Sequence, residues 1–445
     1  MKLIYDVSDK PKFTQLVIFA IQQLLAIMAA TLVVPVIVGN GMSSAAALFG
    51  AGVGTLVYVL FTKKKSPVFL GSSFAFIGSM FAAFAGGVSM ALGYLGLIIG
   101  AVFAGLVYVV IAIIVKIAGV GWINKLMPAV VIGPTVAIIG LSLAGNAVGD
   151  LQTGTEMANP LICVLCGLVA LFVTIISSTY GKKMVKLIPF IIGILAGYAV
   201  SLVFTLIGNA LEIDALKVLS FDAFKALTAD GINLSTFIAL PDFTFVTAFK
   251  GVSEVTPAYI GAIAVSYVPV AFVVFAEHIA DHKNISSIIE KDLLTEPGLS
   301  RTLLGDGVGS MVGAFFGGCP NTTYGESVAC VAITRNASVA TIIAAAIGAI
   351  LVSFLSPFIA FVNSIPKCVM GGICMALYGF IAVSGLKMIK NVDLEDNKNL
   401  FVVSVILISG IGGLSLVFGK VTLTPVAVAL ILGIITNIIL SKKKN

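Results

Sequence analysis

Two acidic residues follow a long apolar run in the second half of the chain. Glu277 comes directly after the run 268–276, and Asp281 lies four residues further on. Residues four apart share one face of a helix, so both carboxyl groups are expected on the same face. A carboxylate inside a bilayer is costly unless it is neutral, paired or facing a cavity. The pattern therefore predicts a substrate or cation site, with a proton shared between the two acids.

The structural alternatives to this site are specific. Glu277 is open to interpretation as a protonated structural acid, and Asp281 as a solvated residue at the inner end of the span beside Lys283. His278 and His282 fall off the Glu277 face. We interpret His278 as a packing or orienting residue rather than a metal ligand, because two histidines four apart lack an evident third ligand.

Two interrupted apolar segments occupy matching places in the two halves of the chain. The first is 67–76, with the sequence PVFLGSSFAF, and the second is 317–326, with GGCPNTTYGE, which ends at Glu326. Glycine, proline and small hydroxyl residues break a helix and free backbone N–H and C=O groups that lipid cannot satisfy. Paired breaks of this kind predict a binding site near the middle of the membrane. A glycine kink for helix packing is the alternative for each break, and a structural acid is the alternative for Glu326.

The chemistry of these groups favours a flat, neutral ligand. The carboxylates accept hydrogen bonds, the broken backbones donate them, and no Lys or Arg falls within the core of any predicted span. Uracil presents alternating N–H and C=O groups that complement this set. Phe74 is placed to stack on its ring, although an aromatic residue in a span also serves as packing.

Composition places these residues in a membrane. Of the 445 residues, 59% are hydrophobic and 10% are charged, with a mean hydropathy of +1.14. Apolar runs long enough to cross a bilayer recur throughout. We predict an all-α polytopic protein with about fourteen spans; the first is a retained span rather than a signal peptide. The predicted spans start near Thr14, Ala45, Val68, Ala91, Pro128, Leu161, Leu187, Pro257, Leu299, Cys319, Ser338, Val369, Asn399 and Thr424.

The basic residues orient these spans. An even span count with both termini cytoplasmic puts most of the 26 Lys and Arg residues in inner loops, as the positive-inside rule requires. The net charge of +6 therefore indicates orientation and not a nucleic acid partner. The polar stretch 208–256 lies outside the membrane and divides the chain into residues 1–207 (spans 1–7) and 257–445 (spans 8–14). An odd number of spans on each side predicts an inverted repeat.

Other chemistries lack support. Cys163 and Cys166 form a C-x-x-C inside span 6 with no histidine nearby, which favours plain packing over metal or redox chemistry. The sequence has no phosphate-binding loop, so direct coupling to ATP is not expected. We see no nucleophile–base pair and predict a transporter rather than an enzyme, without a cofactor.

The central motifs are similar to those of a known family. FAEH at 275–278, KDLL at 291–294, EPGL at 296–299 and PNTTYGE at 320–326 closely resemble the bacterial uracil permease branch of the nucleobase–ascorbate transporters (nucleobase:cation symporter 2). GSSFAF at 71–76 and VMGG at 369–372 are also similar. The resemblance covers nearly the whole chain.

The resemblance implies a fold and a set of site residues. It implies a seven-plus-seven inverted repeat with a core domain (spans 1–4 and 8–11) and a gate domain (spans 5–7 and 12–14). Substrate would bind between short strands in the broken spans 3 and 10. It also implies a homodimer in the bacterial inner or plasma membrane. By motif position, the substrate-binding residues are Glu277, Glu326, Phe74, Tyr324 and Gly325.

The coupling residues depart from the family pattern. The usual Gln-His pair of span 1 is Gln22–Gln23, a histidine of the uracil branch is replaced by Asp281, and the signature after Glu326 continues Ser-Val-Ala. We predict uracil import by proton symport, with Glu277, Asp281 and Gln23 in cation coupling. Sodium is the alternative cation, because a carboxylate is an oxygen ligand. Xanthine or urate transport and an anion exchanger or channel are the alternative functions.

Overall fold

The computed structural model describes residues 3–119, 122, 128–182, 184–229, 231–418 and 421–441. Fourteen apolar segments follow one another in this part of the chain, close to the predicted positions. Eight are helices long and apolar enough to cross a membrane: Phe13–Val38 (span 1), Ser44–Phe61 (span 2), Met90–Ala118 (span 4), Ala129–Leu151 (span 5), Pro160–Tyr180 (span 6), Pro189–Ala210 (span 7), Pro257–Ile289 (span 8) and Lys367–Met388 (span 12). The others are shorter, broken or less apolar: strand β1 (Leu70–Ser72) with Phe74–Ala83 (span 3), Leu299–Gly317 (span 9), strand β2 (Asn321–Thr323) with Gly325–Thr334 (span 10), Val339–Val352 (span 11), Asn397–Ile411 (span 13) and Pro425–Ser441 (span 14).

The connecting segments contain short elements. Between spans 7 and 8, the predicted polar stretch folds into small helices rather than an open loop. The short helices are Met184–Leu187, Asp214–Leu216, Asp222–Leu227, Leu234–Phe237, Thr244–Ala248, Phe249–Glu254 and Ser356–Ser364, with an irregular turn at Leu294–Gly298 and a hairpin of strands Leu416–Phe418 (β3) and Val421–Leu423 (β4).

Side-chain caps fix where several spans begin. Thr256 accepts a hydrogen bond from the backbone N–H of Tyr259 at 3.2 Å, and Pro257 occupies the first turn of span 8. Ser43 and Ser89 cap spans 2 and 4 in the same way. A cap satisfies one of the N–H groups that the first helical turn leaves unpaired, and proline is favoured at the first position. The start of span 8 is thereby set, and with it the height of Glu277.

The two broken spans meet each other. Strands β1 and β2 pair antiparallel with Leu70 opposite Thr323, Gly71 opposite Thr322 and Ser72 opposite Asn321. Ser73 N–H donates to the Pro320 carbonyl at 2.8 Å, which extends the pairing beyond the strands. All six paired residues are buried. Each break thus supplies the backbone partners that the other lacks, as a non-helical backbone at membrane depth requires.

Close approach explains a glycine at this crossing. A Cβ added at Gly71 would collide with the ring of Tyr324, whose hydroxyl donates to the Ser72 carbonyl at 2.8 Å. The tyrosine therefore crosses directly over the first strand and ties it to the start of span 10.

The spans pack in two groups. Span 9 packs against spans 2 and 4, span 11 against spans 1 and 2, and span 8 against span 4. In the other group span 12 packs against spans 5 and 6, span 7 against span 6, and spans 13 and 14 against each other and span 5. The division into core and gate domains that move separately stays a prediction.

The N-terminal segment clips loops of the first group together. The Ile4 N–H donates to the Arg335 carbonyl at 2.8 Å, and the Ala337 N–H donates to the Tyr5 carbonyl at 2.9 Å. The Lys291 ammonium donates to Asp6 at 2.5 Å and holds the pKa of that carboxyl below its usual value. The N-terminus and the loops after spans 8 and 10 therefore lie on one side of the protein.

Spans 2 and 9 approach so closely that side chains are excluded. A Cβ added at Gly54 would lie 2.7 Å from the Gly309 carbonyl oxygen, and a Cβ added at Gly309 would lie 2.7 Å from that of Gly54. We expect Gly309→Ala to cost about 1–3 kcal/mol by overpacking and to lower the thermal midpoint of the purified protein in detergent. Gly261→Ala in span 8, where an added Cβ has no neighbour within 4 Å, is the matched control. Equal midpoints for the two variants would contradict this packing.

Candidate functional site

A cavity of about 440 Å³ lies between the two groups of spans. Six of the seven predicted site residues line it: Phe74, Glu277, Asp281, Tyr324, Gly325 and Glu326. Opposite them, the lining comes mainly from spans 5, 7 and 12, with Val136, Phe190 and Phe380 among its residues. The structure thus brings together residues that are about 250 positions apart in the sequence. The roles assigned to them remain predictions.

Span 8 presents its acids to this cavity as the four-residue spacing predicts. Glu277 and Asp281 are both half-buried. Thr323 of strand β2 donates a hydrogen bond from Oγ1 to Asp281 Oδ2 at 2.8 Å. Within the described residues no side chain donates a hydrogen bond to Glu277, so its oxygens are open to a ligand. Asp281 is therefore fixed by the crossing strands, and Glu277 is the more available acceptor.

The start of span 10 supplies both a donor and an acceptor. Gly325 opens its helix and is exposed to the cavity, and Glu326 follows in the first turn. The first N–H groups of a helix have no partner within it, and the positive end of the helix dipole lies there. Backbone N–H groups and a carboxylate therefore stand side by side at the end of strand β2.

Phe74 lies at the corresponding place after strand β1. Its ring is buried and makes an edge contact with Tyr378 of span 12, with centroids 6.1 Å apart. Span 12 belongs to the second packing group, so this contact crosses the cavity. A ring in this position can both pack and present a face to a flat ligand.

Gln23 lies outside the cavity lining. It is buried, and its Nε2 donates to the Ser327 hydroxyl, which also accepts a hydrogen bond from the Phe69 N–H at 3.0 Å. Ser327 thereby joins span 1, the approach to strand β1 and the helix that carries Glu326. This contact positions the two breaks, and a part for Gln23 in cation coupling stays a prediction.

One buried acid was not predicted from the sequence. Asp306 lies in span 9, is fully buried, and its Oδ2 is 2.6 Å from Nδ1 of His278. Asp306 thus joins Glu277, Asp281 and Glu326 as an acidic residue within a span. Gly305, Gly307 and Gly309 flank Asp306 and lower the mean hydropathy of span 9, so the sequence does not mark position 306 as buried. The signal that could have identified Asp306 is an acidic residue within a predicted span.

The cavity extends to the side of the protein that carries the N-terminus. Its lining includes Ile333, at the end of span 10 and close to the clipped Arg335, together with Met388 at the end of span 12. Lys186, exposed in the loop before span 7, lies at the same end.

Comparison with known proteins assigns the family. Residues 14–419 match the model of a family described as a permease family. The chain belongs to this family, the nucleobase–ascorbate transporters. It is 39% identical to the uracil permease of Bacillus caldolyticus, over 99% of this chain and 95% of that protein. It is 35% identical to the uracil permease of Escherichia coli K12, over 96% of this chain and 92% of that protein. The predicted family is confirmed, and this permease is a multi-pass membrane protein and not an enzyme.

Solved structures show the same fold at low sequence identity. The transmembrane domain of the cyanobacterial bicarbonate transporter BicA matches 97% of this chain with a TM-score of 0.60 and 14% identity, and all of that chain is covered. The murine anion transporter Slc26a9, solved in the inward-facing state, matches 98% of this chain and 69% of its own, with a TM-score of 0.62 and 10% identity. The predicted fold class is confirmed.

The two hydrogen bonds that the Ser327 hydroxyl accepts predict that this side chain stabilises the permease. Ser327→Ala leaves the buried Phe69 N–H and the Gln23 amide without their acceptor, at an expected cost of about 1–3 kcal/mol. The measurement is thermal unfolding of the purified protein in detergent. Ser73→Ala is the matched control, because the Ser73 hydroxyl is buried without a hydrogen-bond partner among the described residues. A control that unfolds as early as Ser327→Ala would contradict the assignment.

Proposed function

We propose that this permease imports uracil by proton symport through alternating access. The observation that carries the proposal is the antiparallel crossing of strands β1 and β2, which brings Glu277, Glu326 and free backbone N–H groups to one cavity. Uracil carries ring N–H groups for the carboxylates and carbonyls for the backbone donors. The curated relatives named uracil permease support this substrate.

The cavity chemistry argues against an anion as substrate. Glu277, Asp281 and Glu326 line the cavity, and Lys186 at its edge is the one cationic residue among the lining residues that the structure describes. Carboxylates without cationic partners repel an anion. The likeness to bicarbonate and anion transporters therefore extends to the fold, and the substrate follows from the side chains. The volume also admits a two-ring purine, which makes xanthine and urate the competitors to test.

The position of the cavity between the two groups of spans supports alternating access. The crossing strands and span 10 pack against spans 1, 2, 8 and 9 of the first group, whereas Val136, Leu377 and Phe380 belong to the second group. Movement of the first group against the second would expose the same residues to either side in turn. In this proposal the protein lies in the bacterial plasma membrane with both termini cytoplasmic, and two copies form a homodimer.

Glu277 and Glu326 are expected to anchor the base. Glu277→Gln and Glu326→Gln each replace a charged acceptor with a neutral amide, and hydrogen bonds to charged groups contribute about 1.5–3 kcal/mol. We expect uracil binding to weaken about 10- to 100-fold in each variant, measured with labelled uracil and purified protein. Glu156→Gln, an exposed acid far from the cavity lining, is the control. Unchanged uracil affinity in both cavity variants would refute the site, and stronger competition by xanthine than by uracil would reassign the substrate.

Asp281 is expected to take part in cation coupling. In proteoliposomes, an imposed pH gradient should drive uracil accumulation by the wild type, and Asp281→Asn should abolish that accumulation because the amide does not titrate. Exchange of labelled for unlabelled uracil needs no net proton movement and should persist in the variant. Accumulation driven by a sodium gradient instead would replace the proton with sodium in the proposal.

A further inference from the structure

A second set of polar side chains lies behind the cavity, on a different face of span 8 from Glu277 and Asp281. His278 and His282 are fully buried, and their rings stack with centroids 4.0 Å apart. His282 Nε2 lies 2.7 Å from the Tyr58 hydroxyl, which lies 2.6 Å from the Ser66 hydroxyl. Beyond the stacked rings, His278 Nδ1 contacts Asp306. We refer to Ser66, Tyr58, His282, His278 and Asp306 as the polar chain.

The polar chain runs from the buried Ser66, next to the exposed Lys65, into the interior of the membrane. Ser66 follows Lys65, whose ammonium pairs with Glu296 in the loop after span 8. That loop also carries Lys291, which is bound by the N-terminal clip. The Ser66 end therefore lies on the side of the N-terminus, and the Asp306 end lies within span 9. The substrate cavity does not include any of these five residues in its lining.

The hydrogen-bond directions show that this chain accommodates one added proton. His282 Nδ1 lies 2.8 Å from the His278 carbonyl, and because a carbonyl can only accept, this nitrogen carries a hydrogen. In the neutral ring Nε2 accepts from Tyr58, and Tyr58 then accepts from Ser66. When Nε2 gains a proton it donates to Tyr58 instead, and the Tyr58 hydroxyl rotates to donate to Ser66. Every link is kept in both states.

At the Asp306 end of the polar chain, a hydrogen bond can also reverse its direction. The Thr302 hydroxyl has one hydrogen and two acceptors within reach, the Leu299 carbonyl at 3.1 Å and His278 Nε2 at 3.0 Å. When Thr302 donates to Leu299, His278 Nε2 must be protonated, and the His278–Asp306 pair holds one more proton than when Thr302 donates to the ring. The hydroxyl rotates as the pair gains or loses that proton.

Two buried atoms at this end lack partners among the described residues. They are Asp306 Oδ1 and the hydroxyl of Tyr108, whose ring on span 4 lies 6.3 Å from that of His278. An unpaired buried acceptor is costly in a purely structural network, and a water molecule or a proton in transit relieves that cost. The other titratable groups near the rings are Tyr58 on span 2 and, on the cavity face of span 8, Glu277 and Asp281.

We propose that the polar chain conducts the coupling proton between the side that carries the N-terminus and the buried face of span 8, behind the cavity face that carries Asp281. The proton passes from the Asp306–His278 pair to His282, which requires rotation of one stacked ring. It then passes from His282 Nε2 through Tyr58 to Ser66, each hydroxyl accepting one proton and releasing another. The inference rests on the proposed proton symport.

The test removes one hydroxyl from the middle of the chain. Tyr58→Phe keeps the ring and breaks both links, so proton movement that accompanies uracil uptake should fall about tenfold or more, as for loss of a proton-transfer group. Exchange of labelled for unlabelled uracil should stay near the wild-type rate. The matched control is Tyr267→Phe, because the Tyr267 hydroxyl is equally buried and has no partner among the described residues. Ser66→Ala is the second variant if Tyr58→Phe does not fold.

The outcomes separate the two proposals. Proton movement at the wild-type rate in folded Tyr58→Phe would overturn the role of the polar chain and leave proton symport intact. Loss of uracil exchange together with proton movement would assign Tyr58 a structural role and also overturn it. A wild-type protein that moves uracil without protons would refute proton coupling itself, which is visible before any variant is measured.

Discussion

A backbone that leaves the helical conformation inside a membrane must find its hydrogen bonds within the protein. In this permease, strands β1 and β2 meet that requirement by pairing with each other, with Gly71 opposite Thr322 at the centre. The pairing forces two segments from opposite halves of the chain to the same point. The helices that follow the strands then start there, so their first N–H groups and the Glu326 carboxylate share one cavity. The site thus lies where the two broken segments satisfy each other's backbone hydrogen bonds.

The same crossing organises span 8. Thr323 of strand β2 fixes Asp281, and the helical repeat then places Glu277 one turn away on the cavity face. Rotating the helix would carry both acids into the packed interior. This rotation is opposed by hydrogen bonds on a different face of span 8, between His278 and Asp306 and between His282 and Tyr58. Span 8 therefore separates two polar environments. One is the open cavity, which suits a ligand, and the other is the buried polar chain, which suits a proton.

Local patterns in the sequence predict the elements well and their contacts poorly. The spacing of Glu277 and Asp281, and the proline and glycine of each break, act within a few residues, so the span order and the cavity acids follow from them. The hydrogen bond from Gln23 to Ser327 joins positions about 300 residues apart, and its existence depends on the crossing of the strands. Asp306 was not predicted as a buried acid because the glycines that let span 9 pack closely also lower the hydropathy of that span. Close helix packing favours glycine in span 9, whereas a strong apolar signal requires larger hydrophobic residues.

Close packing in one group of spans bears on how the permease would move. Spans 2 and 9 touch backbone to backbone at Gly54 and Gly309, which leaves no freedom for one to slide on the other. The N-terminal clip ties further loops of the same group together. Across the cavity, the contact of Phe74 with Tyr378 is an aromatic edge, and the lining from spans 5 and 12 is apolar apart from Ser384. Apolar surfaces without directional hydrogen bonds can shift against each other at a lower cost than interlocked backbones. In the proposed alternating access, the group of spans that carries the acids would therefore move as one body against the mostly apolar surface that covers the cavity.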